Sequence, residues 1–204
     1  MIKTVDLYIV SNNITNNQFN EIINTISNEQ KEKALNYSNE NNKYSKAISS
    51  LFLDKFVGDD IYYNEHNKPL SDNCYFNISH SNEYVIFSKT DSLIGVDIEY
   101  IKSKNEKLFN YTLSENELEN MNDKSDFILY WTSKESLVKC VGIGLTKNIK
   151  EIPALPINAG KKIFLNKKYY TKSIKYKDYY ISVTMEIDFK INLIELDIED
   201  LINM

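Results

Sequence analysis

Three carboxylates in two short stretches are the residues of this chain best suited to chemistry. Asp97 and Glu99 stand in Gly95-Val-Asp-Ile-Glu99, and Glu135 stands in Trp131-Thr-Ser-Lys-Glu-Ser-Leu-Val-Lys139. The first stretch is rich in β-branched and aliphatic residues and predicts a strand end. Alternate side chains of a strand share a face, so Asp97 and Glu99 point one way while Val96 and Ile98 point to the core. The second stretch predicts a helix, because Asp126 to Val141 contains no Pro or Gly and Gly142-Ile-Gly144 follows. On that helix Trp131, Glu135, Val138 and Gly142 line one row, and a carboxylate in an apolar row is costly unless paired. A divalent cation is the natural partner of three carboxylates brought to one point. Each stretch taken alone has a plainer reading, as a solvated strand end or as an (i, i+4) pair of Glu135 with Lys139.

Further groups suit an anion. His80 lies in Phe76-Asn-Ile-Ser-His-Ser81, where a period of two puts Asn77, Ser79 and Ser81 on one face. Lys31 and Lys33 sit on a short helix, and alone would be solvated charges. The chain has no Arg. Any bound phosphate must therefore be held by Lys, His, hydroxyls and backbone N–H groups, without a bidentate guanidinium.

The elements that must position these groups follow from the hydrophobic pattern. A strand occupies the first ten residues. A helix carries Phe19, Ile22, Ile23 and Ile26, a second begins at Asn28, and a third runs from about Asn41 to a Gly58 stop. Ile61 to Tyr63 is a strand, and residues 64–69 form a turn with Asn67 suited to a left-handed position. Strands at 74–79, 84–89 and 93–99 are joined by linkers short enough for an antiparallel meander. A polar break at 102–106 divides the chain into an N-terminal half, 1–102, and a C-terminal half, 103–204. Ser114-Glu-Asn-Glu117 has the form of a capping box and starts a helix. After Pro156 the pattern is β again, at 163–165, 169–176 and 179–187. Segments 82–88 and 177–183 are faintly alike, which points to an internal duplication.

Composition limits the functions open to the chain. The 204 residues suffice for one large domain or two small ones. A net charge of −5 without a basic stripe argues against nucleic-acid binding. No run approaches the length of a membrane span, and the N-terminus is a poor signal peptide, so a cytoplasmic protein is expected. Cys74 and Cys140 form no disulfide or metal pattern.

In order, the Lys-rich helix, Asn67-Lys-Pro69, Phe76-Asn-Ile-Ser-His-Ser81, Gly95-Val-Asp-Ile-Glu99 and Trp131 to Leu145 resemble the 4′-phosphopantetheinyl transferases. The similarity covers nearly the whole chain and is to the group that activates nonribosomal peptide and polyketide synthetases, the surfactin-synthetase-activating type. The resemblance implies an α+β fold: a pseudo-two-fold pair of similar halves, each with helices packed on a small antiparallel sheet, and the active site in the cleft between them. It implies transfer of the 4′-phosphopantetheine arm of coenzyme A to a serine of an apo acyl or peptidyl carrier protein, with Mg2+ as cofactor and adenosine 3′,5′-bisphosphate released. Carried over by position, Asp97, Glu99 and Glu135 match the metal ligands and Lys139 a lysine on the coenzyme A phosphates. Ser79 and His80 match contacts to the same nucleotide, Lys31 and Lys33 fall on the helix that holds the 3′-phosphate, and Lys68 and Pro69 match a turn near the adenine. Asn67 replaces a glycine there, and on the third helix the pair Ser45-Lys46 stands where the group carries Arg followed by Ser or Thr, so that Lys46 is expected to supply the charge. Glu135 is the first candidate for general base and Glu115 the second. The carrier is expected to dock on Ile143, Leu145, Lys147 and Lys150, with the protein a monomer. Two alternatives of other classes are a non-catalytic coenzyme A or nucleotide-binding protein and a metal-dependent phosphohydrolase.

Overall fold

A computed structural model of the chain describes residues 2–58, 60–66, 68–102, 106–144 and 148–204. Its first part runs β1 (Lys3–Ser11), α1 (Asn16–Thr25), α2 (Asn28–Leu35), α3 (Glu40–Phe56), β2 (Tyr62–Tyr63), β3 (Pro69–Leu70), β4 (Tyr75–Ser81), β5 (Tyr84–Thr90) and β6 (Ile94–Tyr100). The remainder runs α4 (Glu106–Thr112), α5 (Glu115–Glu119), α6 (Asp126–Val141), β7 (Ala159–Phe164), β8 (Lys167–Tyr176), β9 (Tyr179–Met185), β10 (Phe189–Leu196) and α7 (Ile198–Asn203). Local chemistry accounts for several boundaries. Ser114 accepts from the Glu117 N–H while the Glu117 side chain reaches back to the Ser114 N–H, the capping box the spacing predicts. The last turn of α6 closes on Gly142 at φ 82°, a left-handed position that glycine adopts without strain.

Two four-stranded sheets, ordered β10-β1-β5-β4 and β6-β9-β8-β7, form an α+β fold. They pack face to face over Val5, Leu7, Ile9 and Ile86 of one and Val96, Ile98, Ile181 and Val183 of the other. Helices α1, α3 and α7 cover the far face of the first sheet through Ile22, Ile48, Phe52 and Leu201. Helix α6 covers the second sheet, where Thr132 and Ser136 meet the hydroxyls of Ser182 and Thr184 at 2.9 and 2.8 Å.

The predicted meander of β4, β5 and β6 does not form. Strand β5 already has β4 on one edge and β1 on the other, so no ladder position beside it is left. Strand β6 instead joins the second sheet, antiparallel to β9, with Asp97 opposite Ser182. A complementary exchange brings β10 to the first sheet, parallel to β1, which makes that sheet mixed where an antiparallel one was expected. Each sheet thus contains one strand from the other side of residue 102. Strands β4 and β6 lie side by side at the seam, and side chains bridge them. Asn77 Oδ1 accepts from the Val96 N–H at 2.8 Å, and Ser81 Oγ accepts from the Tyr100 N–H at 3.2 Å.

Candidate active site

The seam carries the candidate residues. Asn77, Ser79 and Ser81 share one face of β4, as their spacing predicts, and that face meets β6. The Ser79 hydroxyl donates to Asp97 Oδ1 at 3.0 Å, and the Ser81 hydroxyl donates to Glu99 Oε2 at 3.1 Å. Helix α6 lies close enough to add Lys139, whose ammonium donates to Asp97 Oδ1 at 2.6 Å and to Ser79 Oγ at 2.9 Å. The close approach depends on Gly95: a Cβ there would stand 2.0 Å from the Ser136 carbonyl oxygen and 2.3 Å from the Cys140 nitrogen.

The three carboxylates feel one another. Asp97 is 3% exposed, and burial pushes its carboxyl up to about 6 against the pull of Lys139, with Glu99 adding to the rise. Glu135 is pushed up to about 7 by burial first and by the charges of Asp97 and Glu99, with Lys139 opposing. Asp97 Oδ2 is buried with no hydrogen-bond partner among the described residues. The donor set fits a hard divalent cation: three carboxylates within electrostatic reach, one buried oxygen left over, and two acids whose raised values a cation would reverse. Among the described residues no three acidic, His or Cys side chains close into a ready-made cage. Lys139 takes the place of a cation at Asp97 instead.

A cationic band adjoins the row. His80 is exposed at the surface of β4, yet desolvation and the nearby charges of Lys139 and Lys46 hold its imidazole below the usual value. Lys33 and Lys46 line a cavity of about 570 Å³ with Asn36, Tyr37 and Tyr63. Lys33 pairs with Glu29 at 2.6 Å and lies 4.0 Å from the Tyr63 ring centre. Burial opposes ionisation of Tyr63, but hydrogen bonds from Gln30 and Lys33 and the charges of Lys46 and Lys33 hold its phenol below its ordinary value. Of the pair Ser45-Lys46, Ser45 turns inward to Asn12 at 2.6 Å and Lys46 faces the cavity. Lys31 is not part of that wall. Lys68 donates to the Lys139 carbonyl oxygen at 2.6 Å, fixing the last turn of α6, and lines a smaller cavity of about 280 Å³ with Cys140 and Gly142. Pro69 pairs with Tyr63 in the β2–β3 ladder. Asn67, Leu145 and Lys147 lie outside the described residues.

Some participants escaped sequence reading. Gln30, buried under α3, accepts from Ser50 at 3.0 Å and Lys46 at 3.3 Å, and nothing in its Lys- and Glu-rich surroundings marks it. Gly95 did carry a signal, since a glycine inside a strand marks close backbone approach. Lys134, beside Glu135 in sequence, points the other way and is fully buried. Its ammonium pairs with Glu117 at 2.7 Å and donates to the carbonyls of Ile149 and Ile152 at 3.0 and 2.7 Å. Glu117 also accepts from the Ala154 N–H at 2.7 Å. This buried pair anchors α6 to α5 and to the segment before β7. Lys134→Ala leaves Glu117 buried without its partner, and urea denaturation is expected to show a loss of about 3–5 kcal/mol; an unchanged midpoint would remove the anchoring role.

Residues 93–184, which hold β6 and α6, match the model of the ACPS family, the 4′-phosphopantetheinyl transferase superfamily. The chain is 29% identical over 184 residues to the 4′-phosphopantetheinyl transferase gsp of Aneurinibacillus migulanus, covering 82% of this chain and 73% of that protein. It is 24% identical over 151 residues to the 4′-phosphopantetheinyl transferase ffp of Bacillus subtilis, covering 65% and 67%.

Proposed function

We propose that the chain is a member of the 4′-phosphopantetheinyl transferase superfamily, to which it is similar over residues 93–184 and to two of whose transferases it is 29% and 24% identical, and that it transfers the phosphopantetheine arm of coenzyme A to a serine of an apo carrier protein of nonribosomal peptide or polyketide synthesis. One observation carries this reading: Asp97, Glu99 and Glu135 form one electrostatic group at a seam that Lys139, Ser79 and a basic cavity adjoin. A cation site beside ammonium donors is the arrangement that suits a pyrophosphate.

Asp97, Glu99 and Glu135 would hold Mg2+, which when bound polarises the pyrophosphate and offsets charge on the departing adenosine 3′,5′-bisphosphate. Lys139 exchanges its bond to Asp97 for a phosphate oxygen and stabilises charge as it develops. Lys33 and Lys46 hold the phosphate at the nucleotide end, with His80 and Ser79 between them and the row. Glu135, which lies one helical turn before Lys139 and beside the other two carboxylates, is the residue assigned to take the proton of the attacking serine, directly or through a water. The serine belongs to the carrier, so phosphorus–oxygen bond formation and cleavage need no covalent enzyme intermediate.

The fold supports reading the chain as two similar halves meeting at the seam. Helix α3, hairpin β4–β5 and the exchanged strand β6 have counterparts in α6, hairpin β8–β9 and β10. Both hairpins turn through a non-glycine residue at positive φ, Asn82 at 46° and Lys177 at 50°. A cytoplasmic monomer goes with this reading; no helix of the described residues is long and apolar enough to cross a membrane.

The direct test incubates the protein with coenzyme A, Mg2+ and an apo carrier protein and weighs the carrier. Gain of the phosphopantetheine mass is expected. Free product without a modified carrier would favour hydrolysis, and no product at all would favour binding only. Within the transferase assay, Lys139→Ala is expected to lower kcat/KM about 100-fold or more. Lys31→Ala, off the cavity wall, should stay within about threefold; the reverse order would dismiss the assigned roles.

A further inference from the structure

A third cavity, of about 580 Å³, opens where the two hairpin turns meet and is lined by Asn41, Asn82, Tyr84, Tyr100, Lys177 and Tyr179. Its size suits a small organic ligand. It begins one residue beyond the carboxylate row: the Tyr100 N–H donates to Ser81 Oγ, and that hydroxyl donates to Glu99. Its walls are tyrosine rings held edge to face, Tyr100 to Tyr179 at 5.3 Å and Tyr84 to Tyr179 at 5.1 Å between centres. Its turn is fixed from below. Asn12, just past the end of β1, donates to the Asn82 carbonyl at 2.6 Å through its side chain and to the Glu83 carbonyl at 2.8 Å through its backbone N–H.

The cavity is not built for phosphate. Its one lysine is already engaged, since Lys177 donates to the Tyr84 hydroxyl at 2.8 Å and lies 4.9 Å from the Tyr176 ring centre. Glu83 and Asp178 share the wall. The cationic groups Lys33, Lys46 and Lys68 line the other two cavities near the row. The surroundings of the row are therefore chemically divided, cationic in those cavities and, past Glu99, aromatic and hydrogen-bonding without surplus positive charge.

Coenzyme A is divided in the same way about its pyrophosphate. One end is a phosphorylated nucleotide; the other is an uncharged arm of two amides, a hydroxyl, geminal methyl groups and a thiol. Resting on the function proposed above, we infer that the tyrosine-lined cavity at Tyr84, Tyr100 and Tyr179 binds the pantetheine arm while the nucleotide occupies the cationic side. The rings pack on the methyl groups, and the tyrosine hydroxyls with the Asn41 and Asn82 amides serve the amides of the arm.

The test compares two probes that share the nucleotide end. Coenzyme A and adenosine 3′,5′-bisphosphate are titrated calorimetrically into the full chain with Mg2+ present. Tyr100→Ala is expected to raise the Kd for coenzyme A about fivefold to tenfold and to leave that for the bisphosphate within about twofold. Asn82→Gly keeps the left-handed turn, removes only the amide, and should act in the same direction more weakly; it decides the matter if Tyr100→Ala does not fold. Equal weakening of both probes, or no change in either, overturns the arm assignment while leaving the transferase reading intact. Failure of the unsubstituted protein to bind coenzyme A would overturn both.

Discussion

Glu135→Gln is expected to lower kcat/KM for transfer about 1,000-fold while the protein remains folded. The change removes one carboxylate of the cation site, a loss of about 10-fold, and the base, a loss of about 100-fold, in a single step. A second readout separates these roles from a merely structural one. Asp97 and Glu135 sit in the folded chain at about 6 and about 7, above their ordinary values of 3.8 and 4.5. The folded state therefore holds these protons more tightly than the unfolded state, so their contribution is fully present below about pH 4 and lost as pH rises through about 6 to 7. For Asp97 the loss is of order 3 kcal/mol. Between pH 5.5 and 8 the melting temperature should fall, and millimolar Mg2+ should recover much of it at pH 8 but little at pH 5.5, where protons compete. Glu135→Gln should melt higher than the unsubstituted chain at pH 8 without Mg2+ and respond less to the ion. Equal Mg2+ shifts in both proteins, or near-normal transfer by the variant, would remove Glu135 from the site.

Gly95→Ala is expected to be as damaging to activity without touching a functional group. The added methyl would meet backbone atoms of Ser136 and Cys140 at 2.0 and 2.3 Å, and neither can turn aside as a side chain would. Either β6 bends or α6 lifts from the sheet, and the Thr132–Ser182 and Ser136–Thr184 hydroxyl pairs beneath it are disturbed. Overpacking of this kind costs about 3 kcal/mol or more when backbone must move. Displacement of α6 also separates Glu135 and Lys139 from Asp97, so folded protein at low temperature should still transfer poorly. A native urea midpoint together with native turnover would contradict the close packing of α6 on β6.

The two predictions draw on different kinds of information. Glu135, Asp97 and Glu99 stand out in the sequence because charged residues interrupt apolar patterns whose periods, two and 3.6, state which face each occupies. The same local rules identify α6 and its Gly142 stop, the Ser114–Glu117 box, and the shared face of Asn77, Ser79 and Ser81. Local rules say nothing about which edge a strand finds. Strand β6 was expected beside β5 because their linker is short, yet both edges of β5 are taken. The closing segment, beyond the last strand that periodicity marks, forms β10 by joining β1, which begins 186 residues before it (Lys3 opposite Phe189), and then α7.

Roles of individual lysines divide along the same line. Lys139 follows Glu135 by one helical turn, so its place beside the carboxylates follows from helix geometry alone. Lys134 and Lys68 look like equivalent charges in the sequence, but one is buried against Glu117 and the other holds the end of α6. Lys33 reaches the basic cavity and Lys31 does not, because α2 presents only one of them to Tyr63 and α3. The sequence by itself determined the residue types of the site, the face each would occupy on its own element, and so the class of chemistry. Only the tertiary structure decided that β6 would cross to the second sheet, that Gly95 would admit α6 to it, and which lysines would face a ligand. The physical reason is that periodicity and capping act over a few residues, whereas strand pairing, burial and charge pairing are settled between segments remote in the chain.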